Sequence, residues 1–108
     1  MRNGLYRVHF QTPLGSGAGV VHAIDGKMWG GDAGLYYVGS YTTVGDRLTA
    51  VVTTDRHTAH NGVTSVFGVD KATINLDGRV SGDNISAKGT SPQAPGINFT
   101  AELSRVSD

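Results

Sequence analysis

The sequence predicts an all-β domain spanning residues 1–108, and more narrowly a small, closed, antiparallel up-and-down β-barrel, with a two-sheet sandwich as the alternative. Three observations carry this. Apolar and polar residues alternate in short runs along almost the whole chain, which is the period of a half-buried strand. The runs are separated by corners built from glycine with Asp or Asn, and 16 glycines stand against three prolines. No segment shows a helical period. Consecutive strands on short connections pair antiparallel, and closing about eight of them removes the edges that invite aggregation. The interior of such a barrel is filled by side chains or holds one small ligand.

Each element follows from its own pattern. Leu5 to Gln11 sets Tyr6, Val8 and Phe10 on one face, against Arg7, His9 and Gln11. Thr12-Pro13-Leu14-Gly15 turns the chain into a second strand, Ser16 to Ile24. Gly15, Gly17 and Gly19 share a face there, followed by Val21 and Ala23. A bare face of this kind lets a sheet bend or accepts large neighbours packed over it. Asp25-Gly26 signals a two-residue hairpin into Lys27 to Gly31. The corner Gly30-Gly31-Asp32-Ala33-Gly34 opens a fourth strand, Leu35 to Val44, and Gly45-Asp46 turns into Arg47 to Thr54.

Asp55 to Gly62 is a polar interval ending in the turn dipeptide Asn61-Gly62. Val63, Ser65, Phe67 and Val69 follow on one parity, and Ala72, Ile74 and Leu76 on the other, which predicts a bulge or break near residues 69–71. Asp77-Gly78 is expected to turn. Asn84 to Gly89 then carries Ile85 and Ala87 inward, a loop with Pro92 and Pro95 follows, and Ile97 to Val106 forms the last strand.

Composition narrows the chemistry. Nine basic and nine acidic residues cancel and are scattered singly, leaving no basic stripe for a nucleic acid. The lack of cysteine excludes disulfides, thiolate metal sites and thiol catalysis. The N-terminus, Met1-Arg2-Asn3-Gly4, runs straight into a strand pattern without a signal-peptide character. No apolar run approaches the roughly 20 residues that span a bilayer. A cytoplasmic protein without nucleic-acid or membrane partners is expected.

The candidate reactive groups read mostly as scaffold. His57 and His60 have the spacing of two metal ligands, but no helix orients them, so a solvated loop is the preferred reading and no metal is expected. His9 and His22 are expected to pair across a hairpin on the outer face. Gly15-Ser16-Gly17-Ala18-Gly19 is not a dinucleotide fingerprint, because Val20 follows and no helix does. No serine sits in a nucleophile elbow, and the aspartates beside glycine read as turn chemistry. No catalytic residue and no cofactor are expected, and the chain reads as a non-enzyme.

The aromatic set comprises Tyr6, Phe10, Trp29, Tyr36, Tyr37, Tyr41, Phe67 and Phe99, most of them expected in the core. Parity puts Tyr37 and Tyr41 on one face with Leu35, and Tyr36 on the other with Val38. One of these faces must look outward and is the expected association surface.

Four short motifs follow one another along the chain: Asn3-Gly4-Leu5-Tyr6, Gly17-Ala18-Gly19-Val20-Val21, Gly30-Gly31-Asp32 with Tyr37-Val38-Gly39-Ser40-Tyr41, and Ser65-Val66-Phe67-Gly68. In this order they resemble the GrlR family, small negative regulators of type III secretion in enteric bacteria. The resemblance implies an eight-stranded lipocalin-like barrel, often dimeric, that represses by sequestering an activator protein through an acidic loop motif. That motif would fall near Thr42 to Arg47, where this chain has Asp46 alone with Arg47 beside it. The expected function is therefore a protein-interaction module and homodimer, with Tyr36, Tyr37, Tyr41, Asp46 and Arg47 as candidate partner-binding residues. The alternative is a carrier of a small apolar ligand inside the barrel.

Overall fold

The computed structural model describes residues 1–59 and 68–108. The strands are β1 (Gly4–Thr12), β2 (Gly15–Ile24), β3 (Lys27–Gly31), β4 (Leu35–Val44), β5 (Arg47–Arg56), β6 (Ala72–Ser81), β7 (Asn84–Thr90) and β8 (Phe99–Ser107). They close into one antiparallel barrel in sequence order, with β8 pairing back onto β1. No sandwich forms, and no helix occurs among the described residues. None is therefore long and apolar enough to cross a membrane. The expectations for His60, Asn61-Gly62, Val63, Ser65 and Phe67 lie outside the described residues.

The short turns form where their chemistry says. Asp25 and Gly26 both take positive φ, 49° and 86°, the mirror-image turn whose twist matches the strands it joins. Asn3 clamps it: its side-chain nitrogen donates to Asp25 Oδ1 and its side-chain oxygen accepts from the Asp25 amide, each at 3.0 Å. Gly45, at φ 61°, opens the β4–β5 turn.

Two sequence expectations are corrected. Asp77-Gly78 does not turn; it lies inside β6, and the chain reverses at Gly82-Asp83. Long-range pairing overrides the dipeptide: Asp77 points outward to Arg47, and Gly78 is buried between Leu48 of β5 and Ala87 of β7. His9 and His22 do not face each other either. The tight β1–β2 turn sets a register that pairs His9 with Ala18 and His22 with Leu5. The last strand also begins later than expected, at Phe99, because Pro95-Gly96 keeps the preceding residues in turn geometry.

The two ends of the interior differ. At the end carrying the β2–β3, β4–β5 and β6–β7 turns, Tyr6, Ala23, Tyr41, Leu48, Ala50 and Ile85 fill the barrel. Tyr6 is sealed in by donating its hydroxyl to the Arg2 carbonyl at 2.6 Å. The opposite end is lined by Phe10, Tyr37, Phe99, Ile74 and their neighbours and retains free space.

Candidate functional site

The bare glycine face of β2 holds large neighbours. A Cβ at Gly17 would lie 2.7 Å from the Phe10 ring, and one at Gly19 would lie 2.8 Å from the Tyr37 hydroxyl. Both rings therefore lean over β2 where side chains are missing. Phe10 meets Tyr37 edge to face with centroids 6.1 Å apart, and Phe99 in a stacked pair at 6.0 Å. This arc is one wall of an internal cavity of about 80 Å³. Val8, Val21, Val52, Ile74, Leu76 and Leu103 supply much of the rest.

Two hydroxyls touch the cavity wall, and both are committed. Thr54 donates to the Asp70 carbonyl at 3.1 Å. Tyr37 donates to Asp32 Oδ2 in a short hydrogen bond. Asp32 Oδ1 accepts from the amides of Gly34 and Leu35 at 2.9 and 2.8 Å, so this one carboxylate closes the β3–β4 corner and anchors the ring that crosses the barrel. Burial, reinforced by the Asp32 hydrogen bond and charge, pushes the Tyr37 hydroxyl far above the ordinary tyrosine range. The tyrosine is thus a neutral donor at any physiological pH. His57 completes the corner, its Nε2 lying 2.9 Å from the Asp32 carbonyl oxygen.

The outer wall is divided. On β2 to β5 the outward residues include Val20, Ile24, Trp29, Tyr36, Val38 and Val51, all exposed. The register makes them one patch. His22, Trp29, Val38 and Thr53 form a row across four strands, with Val20, Gly31, Tyr36 and Asp55 on one side of it and Ile24, Lys27, Ser40 and Val51 on the other. Trp29, 46% exposed, lies at the centre. Contiguous exposed apolar patches are a common feature of association surfaces. On β6 to β8 and β1 the outward positions instead carry Asn75, Asp77, Arg79, Lys88, Glu102 and Arg7.

The candidate partner-binding residues do not come together. Tyr36 is on the apolar face. Tyr37 and Tyr41 are 7% and 9% exposed and belong to the interior, because the parity they share with Leu35 is the inward one. Asp46 and Arg47 sit at the far end of the barrel, tied into β6: Arg79 donates to Asp46 at 3.0 Å, and Arg47 donates to Asp77 at 2.6 Å. That pairing holds the Asp77 carboxyl below its usual range and raises Arg47. Among the described residues, no three His, Cys, Asp or Glu side chains converge as a metal site.

Sequence reasoning assigned Trp29 no face, within an aromatic set it placed mostly in the core. The signal was present in Lys27, which shares Trp29's parity and cannot point into an apolar barrel, and in Met28, which takes the inward place between them. In comparisons with known proteins, no family model matches the chain, and no curated sequence matches it either.

Proposed function

We propose that this chain is a non-enzymatic, cytoplasmic protein-interaction module that works through the outer face of β2 to β5, as a homodimer whose role is to hold a partner protein. The observation that carries the reading is the exposed Trp29, set in a row with His22 and Val38 and flanked by Tyr36, Val20 and Ile24. Tryptophan and tyrosine dominate the energetics of protein interfaces because they bury much area at little entropic cost. Sequestration, the mode that the GrlR resemblance suggests, needs such a surface and no catalytic group.

A second copy of the chain fits this face. A two-fold axis along the strands reverses their order and keeps each residue at its own level. Tyr36 of one copy then faces Gly31 of the other, Trp29 faces Val38, and Ile24 faces Val51. The glycine leaves room for the tyrosine ring, and no like charges meet at the centre. A stable interface takes about 800 Å² from each partner, roughly one seventh of the 5943 Å² the chain exposes, and half of the barrel wall can supply it.

Light scattering of wild type and of Trp29→Ser at micromolar concentrations tests the dimer: the expected masses are those of two chains and of one. A monomeric wild type removes the self-association. Affinity capture from host extract with both proteins tests the partner role, and it fails if Trp29→Ser retains the same proteins as wild type.

A further inference from the structure

We infer that the end of the barrel lined by Phe10, Tyr37 and Phe99 is a binding site for a small, uncharged, aliphatic molecule. The cavity measures about 80 Å³ and is bounded on every strand but β7. Its lining is hydrocarbon, aromatic carbon and the Met28 thioether apart from the hydroxyls of Thr54 and Tyr37, and those two already donate to Asp70 and Asp32. A ligand with a polar acceptor would therefore lose its hydrogen bonds to water and find no free hydroxyl donor in the lining, which is costly.

Charge is excluded by the same geometry. Arg56, two residues beyond Thr54 at the end of β5, shares that residue's inward parity, whereas Arg7 and Lys27 beside the lining are exposed. Arg56 Nε and Nη2 each donate to an Asp70 oxygen at 2.9 Å, and its Nη1 donates to the Thr58 carbonyl at 3.1 Å. An anionic head group would have to break that pair. The Asp32 carboxylate behind Tyr37 further disfavours an anion.

Size narrows the class. A dry apolar cavity of about 150 Å³ accepts benzene, so a cavity near half that volume takes something slimmer, a short unbranched chain. The site is specific to this end because the other end is filled by Tyr6, Tyr41 and Ile85. It is also distinct from the outer face, which stands on the opposite parity of the same strands.

Methyl-resolved NMR of the intact chain, titrated with propane and with sodium propionate, tests the assignment. With propane, the methyls of Val21, Val52, Ile74, Leu76 and Leu103 are expected to shift while those of the outward Val38 and Val51 stay. Propionate should bind at least about tenfold more weakly, because its carboxylate cannot be desolvated there. Ala101→Leu fills the cavity from β8 and should abolish the response, and Leu76→Phe does the same from β6 if the first variant fails to fold. Trp29→Ser should respond as wild type does, which separates this site from the proposed interface. Inner methyls that stay fixed in propane-saturated buffer overturn the proposal. So does a response that inner and outer methyls share, or one that survives both fillings.

Discussion

The two halves of the barrel wall share a backbone plan and differ in what they show to water. On β6 to β8 and β1, outward side chains pair across strands: Ser86 donates to Glu102 at 2.7 Å and Ser104 to Asn84 at 2.9 Å. Arg47 and Arg79 bind Asp77 and Asp46 where β6 meets β5. On β2 to β4 the outward residues include Val20, Ile24, Trp29, Tyr36 and Val38, all exposed, beside His22, Lys27 and Ser40. A wall of paired polar groups suits water, and the apolar wall is the one on which the proposed contact is placed. The same strands carry the bare inner face that accepts Phe10 and Tyr37. The half that is unusual outside is therefore also unusual inside.

The largest expected effect breaks the apolar half where its backbones approach. A Cβ at Gly30 would lie 1.9 Å from the Val20 carbonyl oxygen, so Gly30→Ala must push β2 and β3 apart. We expect a loss of about 3 kcal/mol or more in denaturant melts. By contrast, Gly82→Ala at the β6–β7 turn, with open space around it but φ at 61°, should cost only about 1 kcal/mol. Equal losses would show that the strand contact has room to relax.

The Asp32 corner comes next. Asp32→Ala leaves two amides and the buried Tyr37 hydroxyl without their acceptor, and should cost about 2–3 kcal/mol. Tyr37 adds a pH signature. Its folded-state pKa is raised above the ordinary value near 10, so the native chain holds its proton where the unfolded chain releases it. The stabilisation is complete below pH 10 and is lost as pH climbs toward the folded value, by up to about 1.4 kcal/mol per pH unit. Tyr6, also raised by burial, contributes in the same direction. Tyr37→Phe should make the alkaline slope shallower, as urea midpoints above pH 10 would report, and an unchanged slope would sink the linkage.

Smaller effects on the monomer are expected at the surface. Trp29→Ser should leave the thermal midpoint of the isolated chain nearly unchanged while altering its mass in solution. Arg47→Ala removes an exposed ion pair, and its midpoint should match wild type within error, because solvent screens such pairs. A marked loss from Arg47→Ala would mean that the charged half is held by its surface pairs, and the contrast between the halves would need redrawing.

By itself the sequence determined the strand pattern, most of the turns and which residues share a strand face, as Tyr6 does with Val8, Leu48 with Ala50, Ile85 with Ala87 and Phe99 with Ala101, because alternation and turn chemistry are local. It also marked a bare face on β2, fit either to bend the sheet or to accept large neighbours. Only the tertiary structure decided which residues pack there, that Asp77-Gly78 continues a strand, and which face of β4 looks outward. Those outcomes depend on register and closure: Phe10 finds Gly17, Tyr37 finds Gly19 and Asp32, and Trp29 joins Val38 only once the strands are paired. Period-two alternation distinguishes two faces of a strand without saying which is inside. The closing of β8 onto β1 settled that for every strand at once.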